Sequence, residues 1–111
     1  MKLLRVVTPS IALCATLVLA SAGGVAADHE VVQKDKAFSV GSLTIKAGDS
    51  VSFKNLDPFV HNVFSLTEPQ PFDLGTTAQG QSSSISFEHP GTFEVECAIH
   101  PEMKITVKVT K

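Results

Sequence analysis

The sequence predicts a small all-β protein, an antiparallel β-sandwich of about seven or eight short strands. Beyond residue 27, apolar and polar residues alternate with a period of two over most of the chain, which is typical of strands with one buried face. Turn residues such as glycine, proline and aspartate separate these short runs. No segment beyond residue 27 has the apolar spacing of a convincing helix.

The first strands are predicted from this alternation. Residues 43–46 and 50–54 alternate and predict two strands joined by a turn at 47–49. Residues 61–66 are apolar enough for a strand that is covered on both faces. Residues 68–80 contain prolines and glycines and are expected to form the longest irregular segment.

The last two of the three remaining strands have the clearest pattern. Residues 82–88 alternate, with Ile85 and Phe87 on one face, and residues 105–109 alternate as well. Between them, Phe93, Val95 and Cys97 share one strand face, so Cys97 is expected to point into the core at the strand's end. The chain has no Trp or Tyr, and we expect phenylalanines to supply the aromatic core, namely Phe38, Phe53, Phe64, Phe87 and Phe93.

Residues 1–27 have the pattern of an export signal. Lys2 and Arg5 form a positive start, residues 11–20 are apolar but too short to span a bilayer, and Val25-Ala26-Ala27 fits a signal-peptidase site. We expect cleavage after Ala27, one domain over 28–111 in the periplasm, and no stable membrane insertion after cleavage. A retained membrane anchor is the alternative.

The charge and the cysteine content of this domain limit the classes of function that it can have. With Lys2 and Arg5 removed, seven of the nine basic residues remain against eleven acidic ones, a net charge of −4, which argues against nucleic acid as a partner. Cys14 lies in the leader, so Cys97 is the domain's single cysteine and no intramolecular disulfide is possible. A lone cysteine in an exported protein indicates a reactive thiol or a metal ligand.

The segment 97–103, CAIHPEM, contains a thiolate, an imidazole and a thioether at every third position. Soft sulfur donors with imidazole favour copper, and two His, one Cys and a weak axial Met form an electron-transfer site. The second imidazole is at His61, upstream. Taken singly, Cys97 and Met103 also fit buried apolar positions, and His61 fits a partly buried imidazole. Pro101 restrains His100 to an extended backbone and stiffens the loop.

Three segments in order resemble the cupredoxins, most closely the amicyanins and plastocyanins: IKAGDSVSF at 45–53, HNV at 61–63 and GTFEVECAIHPEM at 91–103. The two-residue gap between His100 and Met103 is similar to that of amicyanin. The resemblance covers about 38–111. It implies a Greek-key sandwich that holds one type 1 copper through His61, Cys97, His100 and Met103.

The resemblance also implies roles around the metal. Asn62 would tie the His61 loop to the Cys97 loop by hydrogen bonds. His100 would be the electron port, with Phe59, Ile99 and Pro101 at its rim. The chain is shorter than most cupredoxins on the N-terminal side, so an edge strand is expected to be reduced.

We therefore expect a monomeric periplasmic electron carrier that cycles between Cu(I) and Cu(II) and is not an enzyme. Its partners would be periplasmic redox proteins, such as a dehydrogenase or a c-type cytochrome, that dock transiently; Glu102 near the port suggests a basic partner surface. A copper-delivery protein is one alternative, and a Cys–His or zinc enzyme is another. Cleavage after Ala26 would place His29 third in the chain, where it could bind Cu(II), but we expect His29 to lie in a solvated tail.

Overall fold

The computed structural model of the protein describes residues 25–111, which fold into nine strands and no helix. The all-β prediction is confirmed. The predicted export signal lies almost entirely outside the described residues, and no helix within them is long and apolar enough to cross a bilayer. The strands are β1 Asp28–Lys34, β2 Ala37–Phe38, β3 Ser42–Lys46, β4 Ser50–Asn55, β5 His61–Ser65, β6 Phe72–Thr77, β7 Ser82–Ser86, β8 Gly91–Glu96 and β9 Lys104–Thr110.

The strands form two sheets with the orders β2-β1-β4-β7 and β3-β9-β8-β5-β6. Strand β1 runs parallel to β4, and β3 runs parallel to β9, while the other neighbours are antiparallel. The sandwich is therefore mixed and not purely antiparallel, with more strands than the seven or eight expected. The period-two pattern identifies strands but carries no information on their relative direction.

Three strands lie where none was predicted: β1, the two-residue β2, and β6. In β1 the inward residues include the polar Gln33, which is fully buried beside Val31, so the apolar alternation is interrupted. The edge strand of this sheet is the two-residue β2, which fits the expectation of a reduced edge strand, while its neighbour β1 is a full strand of seven residues. Strand β6 lies inside the segment 68–80 that was expected to be irregular; its inward residues Phe72 and Leu74 are only partly buried, and Gly75 interrupts the pattern.

The core lies between the sheets and is built from the predicted apolar faces. Phe53, Phe87 and Phe93 are fully buried, and Phe38 packs against them from the edge. Phe64 is only half-buried and does not belong to this cluster. The expectation for Phe64 is wrong because β5 is covered on both faces, and Phe64 points to the other one; Phe72 packs against the core instead.

Strand pairing also determines where the predicted ligands lie. Strands β5 and β8 are antiparallel neighbours, with Phe64 opposite Glu96. The start of one strand in an antiparallel pair lies beside the end of the other. His61 begins β5 and Cys97 follows β8, so both are at the same end of the sandwich.

Candidate metal centre

Three donor side chains meet at this end of the sandwich. The Cys97 Sγ atom lies 3.7 Å from His61 Nδ1 and 3.8 Å from His100 Nδ1, and all three atoms lie within 4.8 Å of one another. Metal–nitrogen and metal–sulfur bonds of about 2.0–2.3 Å that meet at about 120° would separate two donors by about 3.7 Å. The donor types and their spacing therefore fit one metal ion.

The loop after β8 brings two of these donors together. Cys97 is buried because it continues the inward face of β8. The Met103 N–H donates to the His100 carbonyl at 2.9 Å, and the Cys97 N–H donates to the Met103 carbonyl at 3.3 Å. These bonds close the segment 97–103 into a compact turn, and His100 is left half-buried at its surface.

Met103, the predicted axial ligand, is 2% exposed. It follows the compact turn and precedes β9, yet it is not among the residues of the main hydrophobic cluster. A buried thioether on the same loop as Cys97 and His100 suits the predicted role. Its ligation of copper stays a prediction.

His61 is held by a residue that the sequence analysis missed. Its Nε2 atom lies 2.7 Å from the Asp57 carboxylate, and both side chains are buried. Burial raises the pKa of Asp57, but hydrogen bonds from His61 and from the backbone N–H groups of Lys36 and Asp35 outweigh it and hold that pKa below the usual value. The available signal was a carboxylate in the loop four residues before a ligand histidine.

Asn62 touches the centre through its main chain. Its backbone N–H donates to Cys97 Sγ at 3.4 Å, which links the His61 strand to the Cys97 loop. Its side-chain amide instead donates to the Asp73 carboxylate and the Gly75 carbonyl in β6. The Gly75 N–H and the Asn62 amide lower the pKa of Asp73, although desolvation opposes them.

The residues expected at the rim of the port surround His100. The Phe59 ring lies 5.3 Å from the rings of both His61 and His100, measured between centroids. Phe59, Ile99 and Pro101 are exposed. Two further exposed apolar side chains, Leu56 and Val60, flank Phe59 in the chain and were not anticipated.

His29 is not in a solvated tail, and that expectation is wrong. It lies in β1, which pairs along its length with β4, and its Nε2 atom is 3.0 Å from the buried Asp49 carboxylate. Asp49 precedes β4 and Asn55 ends it, so this pair is at the opposite end of the sandwich from the metal centre. His89 is exposed, as expected of a turn residue.

Comparison with known proteins places this geometry in a family. Residues 25–110 match the family model described as copper binding proteins, plastocyanin/azurin family. Amicyanin-alpha of Methylorubrum extorquens is 31% identical over 87 residues, which cover 76% of this chain and 73% of that protein. Plastocyanin of Solanum tuberosum is 28% identical over 85 residues, which cover 67% of this chain and 86% of that protein.

Solved structures have the same fold. A reduced Cu(I) form of an amicyanin mutant superposes with a TM-score of 0.69 at 25% identity, covering 74% of this chain and 81% of that one. A copper-containing nitrite reductase from Thermus scotoductus gives a TM-score of 0.71 at 27% identity, but the match covers 76% of this chain and only 22% of the reductase chain. The chain therefore belongs to the plastocyanin/azurin family of copper-binding proteins, the cupredoxins, and copper is the metal of its centre.

Proposed function

We propose that the protein is a monomeric, exported electron carrier of the periplasm, with one type 1 copper held by His61, Cys97, His100 and Met103. Copper, when bound, would supply the one-electron couple between Cu(I) and Cu(II). The protein would supply the ligands, their fixed positions and a route to the surface. The single observation that carries the proposal is the meeting of two imidazole nitrogens and one buried cysteine sulfur within 4.8 Å.

A rigid centre suits this role because little should move when the charge of the metal changes. Cys97 continues a core strand, His61 begins another, and the 97–103 turn is closed by two backbone hydrogen bonds. The Asn62 N–H is directed at the Cys97 sulfur and would stabilise its negative charge. These contacts hold the donor atoms in position in the absence of the metal.

His100 supports the proposed route for electrons. It is the half-buried member of the three donors, whereas His61 and Cys97 are buried. Its exposed neighbours Phe59, Ile99 and Pro101 form a small apolar surface at the rim of this port. Small apolar surfaces with polar surroundings suit brief docking, and weak redox encounters have small interfaces. A periplasmic dehydrogenase or a c-type cytochrome is the kind of partner proposed.

The match to a nitrite reductase shows that a domain of this fold also occurs within an enzyme, so an enzymatic role is the main alternative to a carrier. In the present chain the two imidazoles and the thiolate, with the predicted Met103, would fill four positions around the metal. That arrangement would leave no position for a substrate, so we propose a carrier without chemistry of its own.

The test is to load the purified protein with Cu(II) and to record its visible spectrum and copper stoichiometry. We expect an intense thiolate-to-copper band, one copper per chain and a reversible one-electron couple. Cys97→Ser should abolish the band, and His61→Ala should abolish or strongly alter it. His89→Ala is the matched control, since His89 is exposed in the turn before β8, and it should leave the band unchanged. A colourless protein that retains zinc would contradict the proposal.

A further inference from the structure

Asp57 is not one of the predicted metal ligands, but it makes a buried contact with His61, which is one of them. Asp57 is 3% exposed and follows β4, and its Oδ2 atom lies 2.7 Å from His61 Nε2. His61 Nδ1, on the other side of the ring, is the atom that faces Cys97 Sγ at 3.7 Å. The imidazole therefore bridges a carboxylate and the metal position.

The carboxylate is also held by backbone N–H groups, one of which shares the Oδ2 atom with His61. Its Oδ1 atom accepts the Asp35 N–H at 2.7 Å, and its Oδ2 atom accepts the Lys36 N–H at 3.1 Å. Both donors belong to the turn between β1 and β2, and both have positive φ angles, 55° and 56°. Such a conformation is uncommon for residues with a side chain, and the two aligned N–H groups stabilise it here.

The loop that holds Asp57 is fixed in turn. The Asp57 N–H donates to Asn55 Oδ1 at 2.7 Å, while the Asn55 amide group donates to the carbonyls of Phe59 and Thr77. Asn55 is fully buried. With each carboxylate oxygen engaged by the turn, Asp57 cannot rotate away from His61 without breaking hydrogen bonds in a buried site.

This arrangement determines which nitrogen of His61 holds a proton. An ionised carboxylate only accepts hydrogen bonds, so His61 must donate through Nε2–H. Its Nδ1 atom then keeps a lone pair for the metal. Such a contact also increases the electron density of a ligand imidazole, and outer contacts of this kind commonly contribute a factor of about 10–100 to metal affinity.

We propose that Asp57 is the positioning residue of this centre: it holds His61 in the Nε2–H form, directs Nδ1 at the copper, and lowers the reduction potential of the copper. The potential falls because a buried negative charge beside a ligand stabilises Cu(II) more than Cu(I). This inference rests on the proposed copper carrier. It adds that the β1–β2 turn, through the N–H groups of Asp35 and Lys36, is part of the support of the metal centre.

The chain contains a matched control for this inference. Asp49 is also buried, also accepts backbone N–H groups, and also lies within 3.0 Å of a histidine Nε2 atom, that of His29. It is at the opposite end of β4 and touches none of the predicted ligands. Asp49→Asn therefore removes a similar carboxylate–histidine contact without reaching the metal.

The experiment measures reduction potential and copper affinity in Asp57→Asn, Asp57→Glu and Asp49→Asn. Asp57→Asn should bind Cu(II) about 10–100-fold more weakly while the affinity for Cu(I) changes less. A tenfold difference between the two oxidation states corresponds to a rise of about 59 mV in the potential. Asp57→Glu keeps the charge and should stay closer to the wild-type potential. Asp49→Asn should leave the potential unchanged, whatever it does to stability.

If Asp57→Asn lowered stability but left the potential of a blue protein unchanged, Asp57 would be only an anchor of the turn, and this inference alone would be overturned. If the wild-type protein were not blue, the proposed function would fail instead. Should Asp57→Asn not fold, nitrogen NMR of the diamagnetic Cu(I) wild-type protein decides. A slowly exchanging His61 Nε2–H supports the inference, and an unprotonated Nε2 overturns it.

Discussion

Replacing Phe93 by alanine tests whether β8 is anchored in a close-packed core. Phe93 is fully buried in β8, opposite Val107 of β9, and its ring lies 5.4 Å from that of Phe87. Fully burying a phenylalanine removes about 150–250 Å² from water, which at about 25 cal/mol per Å² corresponds to about 4–6 kcal/mol. Measured Phe→Ala substitutions in cores cost about 3–5 kcal/mol, so we expect a loss in that range.

A loss of about 3–5 kcal/mol would be a large part of the total free energy of unfolding. A domain of roughly 90 residues has a free energy of unfolding of about 5–13 kcal/mol. The assay is urea unfolding of the metal-free protein, with the midpoint and the slope fitted separately. Phe64→Ala is the matched control: Phe64 is half-buried outside the main cluster, and its loss should cost roughly half as much or less. A Phe93→Ala loss below about 1 kcal/mol, or equal losses for both variants, would refute the reasoning.

Three further predictions follow from charge and metal binding. In a chain that retains Ala27, hydrogen bonds to Asp49 from the Ala27 N–H, the His29 side chain and the Lys46 N–H lower its pKa from 3.8 to about 2. The contribution of Asp49 to stability is then present above pH 4 and is lost as pH falls towards 2, so acid unfolding should become less steep in Asp49→Asn. Copper at about 100 times its dissociation constant should stabilise the wild-type protein by about 2.7 kcal/mol in urea unfolding, and Cys97→Ser, which should bind copper more weakly, should lose most of this gain at the same copper concentration. If the partner's docking surface is basic, Glu102→Gln should slow association, and Lys36→Gln, which removes the positive charge beside Phe59, should accelerate it. Both effects on the association rate should fade in high salt. If both variants changed the association rate in the same direction, the proposal of a basic partner surface would be contradicted.

The position of the metal centre was largely predictable from the sequence. The spacing of the donors in 97–103 and the inward face of β8 together predicted that Cys97 would be buried at a strand end, and the structure has it 1% exposed. The structure then brings His61 and His100 to it. These predictions depended on local alternation and on a short loop, which are properties of nearby residues.

The parts that were missed depend on contacts distant in sequence. Gln33 occupies a core position, so β1 lacked the apolar alternation that would have identified it. The role of Asp57 depends on the turn at Asp35 and Lys36, which β1 brings to it by pairing with β4 from more than 20 residues away. His29 was misplaced for the same reason, because its partner Asp49 is 20 residues away.

The most direct test of the central claim is X-ray absorption spectroscopy of the Cu(II)-loaded protein, compared with Cys97→Ser and His61→Ala. The account predicts one short copper–sulfur bond and two copper–imidazole bonds, with the sulfur bond absent in Cys97→Ser and one imidazole absent in His61→Ala. A first shell made only of nitrogen and oxygen, unchanged by both substitutions, would show that copper binds elsewhere and would contradict the account.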